Sequence, residues 1–261
     1  MPQVHRFEWR GLTGLVLRVL DDEHHILGEL IEGPLPASEA GRAIRMSGSC
    51  CFVQTPNERV MIDAGLDADL VSRGLAAEGL DPDHVDLVVV THGDQDHVRG
   101  LIRASGEVTF PNAWHVIHED LWAAWVDGRE LPRVPKERFV AALSPRIRCV
   151  HGGRCPAHGI CVVDAPGHRL GHLAVEIATD GAPFLHVGDA LLHPAFVRLA
   201  DRRIPGEDDP GLAAATRRAL LQRAATRGAL VAASHFPFPG LGQIETPGGG
   251  FVWSPRPLLA D

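Results

Sequence analysis

The sequence predicts an α/β protein, an αβ/βα sandwich in which two mixed β-sheets face each other and helices cover the outside. Two β-rich halves follow one another along the chain, and in each half apolar strands end in polar residues. Hairpin signals and the lack of regular βαβ alternation argue against a doubly wound single sheet, which is the alternative. Because no linker, repeat or low-complexity segment interrupts the pattern, we expect one domain over residues 1–261.

The first half combines a β-hairpin, a helix and a buried strand. From apolar runs and turn residues we predict strands at residues 12–20, 26–31, 50–55, 60–63, 86–90 and 113–117. From helical spacing of apolar side chains we predict helices at residues 67–79, 98–104 and 118–126. The Pro- and Arg-rich residues 127–148 are expected to form a long excursion over the surface.

The second half repeats the order of strands and ends in the clearest helix of the chain. Strands are predicted at residues 160–164, 173–178, 183–187 and 229–233. The helix spans residues 210–227, with Asp208 or Asp209 as N-cap, Pro210 in the first turn and Gly228 as C-cap.

Composition excludes several classes of partner. The formal net charge of -8 argues against nucleic acid, whose binding requires clustered positive charge. The apolar runs are too short for a membrane span, and the N-terminus lacks the pattern of a signal peptide. We therefore predict a cytoplasmic protein that acts on a small molecule, without a membrane or nucleic-acid partner. The sequence does not indicate an oligomeric state.

The five cysteines are expected to be reduced thiols, because nothing predicts export. Cys149, Cys155 and Cys161 recur every six residues, with His151 and His158 between them. A structural zinc site there is the alternative, although the spacing lacks the close Cys-x-x-Cys pair that is typical of such sites.

The segment LVVVTHGDQDHVRGL at residues 87–101 carries the strongest functional signal. An apolar strand runs directly into His92, Asp94, Asp96 and His97. Imidazoles and carboxylates placed so densely need a cation to hold them together, because burial and repulsion otherwise disfavour them. The pattern therefore predicts a metal site at the end of a strand, where sites of α/β proteins lie.

Three further strand or loop ends offer ligands of the same kind. His168 lies in PGHRLGH, Asp189 ends the run FLHVGD, and His235 ends ALVAASH. Four separate segments that all carry imidazole or carboxylate are hard to explain by packing alone.

Together these motifs resemble the metallo-β-lactamase superfamily, whose signature is His-x-His-x-Asp-His followed by a later His, Asp and His. The resemblance covers about residues 50–240 and implies the metallo-β-lactamase fold. The segment 234–242, SHFPFPGLG, is most similar to the glyoxylase-like hydrolases around methyl parathion hydrolase.

The resemblance implies a binuclear centre with two divalent ions. His92, Asp94 and His168 would hold the first ion, and Asp96, His97 and His235 would hold the second. Asp189 and a hydroxide would bridge the two ions.

Asp94 departs from the signature, which has histidine there. Two ions carry +4, and three aspartates with a hydroxide carry -4, so the centre would be neutral instead of +1. We expect weaker Lewis acidity and a harder ligand set that admits iron or manganese besides zinc, which family precedent favours.

The implied activity is hydrolysis of a small ester, thioester, lactone or organophosphate-like substrate by the metal-bridging hydroxide. Asp96 is the candidate catalytic residue that orients this nucleophile and accepts its proton. Asp63 is either a turn residue or a partner of a metal-bound histidine. The alternatives are a non-haem iron redox enzyme, such as a persulfide oxygenase, and a degenerate fold that only binds ligands.

Overall fold

The computed structural model describes residues 3–129 and 136–256 of the chain. The strands in these ranges are β1 (Val4–Trp9), β2 (Leu12–Ile26), β3 (Ala43–Gln54), β4 (Arg59–Ile62), β5 (Leu87–Val89), β6 (Trp114–His118), β7 (Ile147–Val150), β8 (Ile160–Asp164), β9 (Leu173–Ile177), β10 (Phe184–His186), β11 (Leu230–Ala232), β12 (Leu241–Glu245) and β13 (Val252–Pro255). The α-helices are α1 (Ala37–Ala40), α2 (Ala68–Ala77), α3 (Gln95–Val98), α4 (Glu119–Asp127), α5 (Lys136–Leu143), α6 (Ala195–Arg198) and α7 (Pro210–Arg227).

The strands form two sheets, one from each half of the chain. The first sheet has the order β1-β2-β3-β4-β5-β6-β7, and the second has the order β13-β12-β11-β10-β9-β8. In the first sheet, β4 to β7 run parallel, so their carboxyl ends meet at one edge. In the second sheet, β10 and β11 are the parallel pair.

Apolar side chains fill three layers, which confirms the predicted sandwich. Between the sheets, Val53 and Val89 of the first sheet belong to the same buried cluster as Val175 and Leu230 of the second. On the outer faces, a second cluster joins the first sheet to α2, α4 and α5, and a third joins the second sheet to α7. Strands β5 and β11 are buried and apolar throughout, and polar residues follow shortly after them.

Helix α7 begins and ends as predicted. The Asp209 carboxylate accepts hydrogen bonds from the backbone N–H groups of Gly211 and Leu212, and Pro210 occupies the first turn. Gly228 ends the helix in the left-handed conformation, at φ 60°.

Two predicted elements near the site are wrong in extent. The helix expected at 98–104 instead begins inside the polar motif as α3, and a 3-10 turn at Arg99–Leu101 ends it. The N–H of Gly100 donates to the carbonyl of Gly65 at 2.9 Å, which ties this turn closely to the segment after β4. The separate strand expected at 26–31 is not formed: Ile26 is the last residue of β2, and the 3-10 helix Leu27–Leu30 follows.

The surface excursion expected over 127–148 is also wrong for most of its described part. Residues 130–135 lie outside the described ranges. Helix α5 follows, and Phe139 and Leu143 pack into the core beneath the first sheet. Strand β7 then adds to β6 in parallel. Because this segment is rich in Pro and Arg, its two buried apolar residues, Phe139 and Leu143, did not predict a helix.

The cysteine prediction is corrected by a disulfide bond between Cys155 and Cys161. The chain between β7 and β8 folds back on itself, because Gly153 N–H donates to the carbonyl of Val162 and Val162 N–H donates to that of Arg154. This pairing places the two cysteines opposite each other, with Cα atoms 3.9 Å apart. Since both sulfurs are bonded, the alternative zinc site loses two of its ligands, and Cys149 remains as an exposed thiol.

Within residues 3–129 and 136–256, no helix combines the length and apolar character that crossing a bilayer requires.

The buried His115 makes the stability of the fold sensitive to acid. Its side chain is 1% exposed, and burial lowers its pKa to about 4 from 6.5. A lowered folded-state pKa gives stability that is present above pH 6.5 and is lost as the pH falls toward 4, because the unfolded chain takes up the proton first. This histidine should contribute a loss of about 2 kcal/mol between pH 7 and pH 5.

Between pH 7 and pH 5, the free energy of unfolding should therefore fall by about 2 kcal/mol less in His115→Phe than in the parent protein. Urea denaturation at pH 7 and pH 5 measures this difference. His158→Phe, at an exposed histidine, is the control and should follow the parent. Equal acid sensitivity in all three proteins would contradict the assignment of a neutral buried His115.

Candidate metal centre

Four of the predicted ligands follow β5 at the edge where the parallel strands end. Thr91 and His92 leave the strand fully buried, and the chain then turns into α3 with Asp94 as its N-terminal flanking residue. The N–H of His97 donates to the carbonyl of Asp94 at 3.0 Å and closes this turn. The compact turn brings His92, Asp94, Asp96 and His97 to one place.

The second sheet supplies the other three predicted ligands from three separate connections. His168 lies in the loop between β8 and β9, Asp189 follows β10, and His235 follows β11. The His168 loop requires glycine before the histidine: Gly167 has φ +117°, and a Cβ there would lie 2.1 Å from the backbone nitrogen of Ala213.

The structure brings all seven predicted side chains together. Their ligand atoms form three overlapping groups, each with all atoms within 4.8 Å of one another: His92, Asp94 and His168; Asp96, His97 and His235; and His92, His97 and Asp189. The first two groups coincide with the two ligand sets expected from the sequence.

Asp189 lies between the two ligand sets. Its Oδ2 is 3.7 Å from His92 Nε2 and 3.6 Å from His168 Nε2, while its Oδ1 is 3.3 Å from His97 Nε2. His235 Nε2 lies 3.0 Å from Oδ2. One carboxylate thus faces histidines of both sets, as a bridging ligand must.

The nitrogen and oxygen atoms at the centre have the burial and the spacing of metal ligands. The Nε2 atoms of His92, His97 and His168 and the Oδ1 of Asp189 are buried and have no hydrogen-bond partner. Buried polar atoms without a partner are costly, and four of them around one point fit the ligand atoms of a bound cation. Tetrahedral ligands about 2.0–2.1 Å from zinc lie roughly 3.3–3.5 Å apart, close to the separations found here.

Each of three histidines bonds to the protein through Nδ1 and thereby presents Nε2 to the centre. His97 Nδ1 donates to Asp63 Oδ2 at 2.7 Å, and His235 Nδ1 donates to the carbonyl of Ser47 at 2.9 Å. His92 Nδ1 lies 3.0 Å from the Thr91 hydroxyl, which donates to Asp63 at 2.8 Å. These contacts fix the ring orientation and leave the Nε2 lone pair free for a ligand role.

Asp63 therefore fills the second of its two expected roles, as the partner of a histidine at the centre. It is fully buried, has the left-handed φ of 62°, and also accepts a hydrogen bond from Thr91 N–H at 2.7 Å. Aspartate tolerates this backbone conformation better than most residues do.

His172 lies next to the centre, but both of its ring nitrogens hydrogen-bond to backbone groups. Its Nδ1 donates to the carbonyl of Ala165, and its Nε2 accepts a hydrogen bond from the backbone N–H of Asp189. Burial and the neighbouring histidines hold the pKa of His172 well below its usual value, so the ring stays neutral and can accept this bond.

His235 and Asp189 stabilise each other's charged forms. Burial works against the charge of His235, but Asp189 and Asp96 raise the pKa of His235 to about 10. Burial likewise opposes the charge of Asp189, yet His235, His97 and His92 keep the pKa of Asp189 well below its usual value. A metal ion that binds at neutral pH must therefore displace a proton from His235.

Several residues at the centre escaped the sequence prediction. Arg169 donates to the carboxylate of Asp94, and the buried Glu207 lies 3.9 Å from His168 Nδ1 while it pairs with Arg217 at 2.9 Å. Ser47 and Thr91, which support His235 and His92, were also missed. The adjacency of Arg169 to His168 was visible in the sequence, but the contacts of Ser47 and Glu207 arise only from the tertiary fold.

Comparisons with known proteins identify the family and match the fold. The profile of the Metallo-beta-lactamase superfamily matches residues 43–235. The dizinc quorum-quenching lactonase AidC, solved in complex with a product, superposes with a TM-score of 0.86 at 19% identity, covering 99% of both chains. AbOPH, a hydrolase of the beta lactamase superfamily, superposes with a TM-score of 0.84 at 22% identity, covering 100% of this chain and 99% of that chain.

A curated relative matches a shorter part of the chain. The exodeoxyribonuclease WalJ of Streptococcus pneumoniae, found in two strains, is 28% identical over 91 residues, which make up 34% of this chain. The match spans about a third of that relative's length, 32%.

Asp63→Asn should weaken metal binding without disturbing the backbone, because asparagine also adopts the left-handed conformation. The variant removes the negative charge of Asp63 next to His97, and this loss is expected to lower metal affinity roughly 10–100-fold. Competition with a chromophoric zinc chelator measures the affinity.

Asp127→Asn is the control for this variant, because Asp127 is an exposed carboxylate on α4. An Asp63→Asn protein with the affinity of the control would show that Asp63 only shapes the turn.

Proposed function

The chain belongs to the metallo-beta-lactamase superfamily, and on that premise we propose that it is a binuclear metal-dependent hydrolase of a small ester, thioester, lactone or organophosphate-like substrate. The observation that carries the proposal is the pair of ligand sets that share Asp189, with their inward nitrogens buried and unpartnered. Such an arrangement has no evident use in packing.

Seven side chains would hold the two ions. His92, Asp94 and His168 would bind one ion, Asp96, His97 and His235 the other, and Asp189 both. The ligand set of four imidazoles and three carboxylates suits zinc, and it also accepts iron or manganese. The dizinc centre of the structural neighbour AidC supports zinc as the first choice.

The chemistry would be hydrolysis. Two divalent ions bound there would supply a hydroxide nucleophile near neutral pH and would polarise the carbonyl or phosphoryl group of the substrate. Asp96 is suited to the proton-handling role, because its side chain is 26% exposed while its Oδ2 faces His235 at 3.3 Å. A carboxylate that is partly open to solvent can both orient a water molecule and accept its proton.

The substrate class rests on charge and on the neighbours. The two structural neighbours are named as a lactonase and a hydrolase, and the lactonase was solved with a small product. The net charge of -8 disfavours the DNA substrate of the relative WalJ, because an acidic protein repels a phosphate backbone.

Elemental analysis combined with a substrate screen tests the proposal. Protein purified without added metal should contain close to two equivalents of divalent metal and should hydrolyse a member of a panel of chromogenic esters, thioesters, lactones and phosphotriesters. The same protein should not consume oxygen in the presence of a persulfide. Iron as the bound metal together with oxygen consumption would favour the redox alternative, to which the carboxylate of Asp94 is also suited.

Asp189→Ala should lose at least one of the two metal equivalents and nearly all turnover. The loss should exceed the roughly 10–100-fold effect of removing a hydrogen-bond partner of a ligand, because a ligand to both ions is removed. Metal content and kcat/KM are the measurements, with the exposed Asp201→Ala as control. Full metal content with normal turnover would disprove the bridging role.

A further inference from the structure

The guanidinium of Arg169 binds the one carboxylate that departs from the histidine-rich ligand pattern. Its Nε lies 2.9 Å from Oδ1 and 3.0 Å from Oδ2 of Asp94. The same Oδ2 lies 3.7 Å from both His92 Nε2 and His168 Nε2. Asp94 thus connects an arginine on one side to the first ligand set on the other.

The position of Arg169 is fixed by the backbone of two loops. Its Nη1 donates to the carbonyl of the preceding His168 at 2.8 Å and to that of Gly206 at 2.7 Å. The loop that carries Gly206 is itself attached to the His168 loop, because the N–H groups of Asp208 and Asp209 donate to the carbonyls of His168 and Gly167. The arginine is therefore anchored in place, with 27% of its side chain exposed.

This contact changes the charge of the centre. An aspartate ligand adds one negative charge relative to a neutral histidine, and an arginine that is always protonated cancels that charge at hydrogen-bond distance. When Arg169 is included, the net charge of the centre is +1, the same as with histidine in place of Asp94. The ligands alone would give a net charge of zero.

We propose that Arg169 is a positioning residue, and that the Asp94–Arg169 pair acts as one neutral ligand in place of a histidine. The inference rests on the proposed binuclear function, and it assigns to Arg169 a role in metal binding. Arg169 orients the Asp94 carboxylate toward the first ion and sets the net charge around both ions.

A double-substitution cycle on metal affinity tests the pair. Arg169→Leu alone should weaken zinc binding about tenfold, because the Asp94 carboxylate loses the donor that orients it. Asp94→His alone should also weaken binding, because Arg169 then faces two cations without a compensating carboxylate. Adding Arg169→Leu to Asp94→His should instead tighten binding at least tenfold, which reverses the sign of the arginine effect.

Two further variants separate charge from side-chain volume. Arg169→Lys keeps the positive charge, so it should not restore zinc binding in the Asp94→His background, whereas Arg169→Leu should. Arg218→Leu removes an arginine that pairs with Asp201 on the surface and is the matched control, which should leave zinc affinity unchanged in both backgrounds. Zinc affinity is measured by chelator competition and the bound equivalents by elemental analysis.

The outcomes separate the inference from the proposed function. An effect of Arg169→Leu that is equal in both backgrounds would overturn the neutral-pair proposal, while two bound metals would leave the function standing. Unchanged zinc affinity with a raised KM in both backgrounds would show that Arg169 binds substrate instead. A parent protein without a binuclear metal complement would contradict the proposed function itself.

Discussion

The burial of imidazole nitrogens that have no partner in the protein is the constraint on which the rest of the structure depends. His92 and His97 expose no part of their Nε2 atoms to solvent, and neither atom accepts or donates a hydrogen bond. The fold aligns these rings through their other nitrogens, which bond to Thr91 and Asp63. The left-handed turn at Asp63 and the buried hydroxyl of Thr91 follow from this demand.

The seven residues of the candidate metal centre were predictable from sequence because they follow apolar strands or lie in a glycine-rich loop. A strand buried on both faces leaves no other place for charge, so a polar residue at its end stands out. Their hydrogen-bond partners were much harder to predict. Ser47 lies within β3 and Glu207 in a loop that no motif identifies, and each reaches a histidine only after distant segments pack together. Asp63 was recognised because it too ends a strand.

The fold was predictable where periodicity and capping residues agree, as in α7 with Asp209 and Gly228 at its ends. It was not predictable where only a few apolar residues carry the packing. Helix α5 contributes Phe139 and Leu143 to the core from a segment whose composition resembles a loop. The edge strands β1 and β13 were missed as well, because their half-buried residues show no clear alternation.

The contact between Ser47 and His235 has a consequence for biosynthesis. It joins β3 of the first sheet to the end of β11 in the second, across 188 positions of the chain. A ribosome would complete the early cluster around His92 long before the residue that closes the second ligand set emerged. On the proposed function, a growing chain would carry only part of the ligand set, and the binding of both metal ions would have to await the docking of the second sheet on the first.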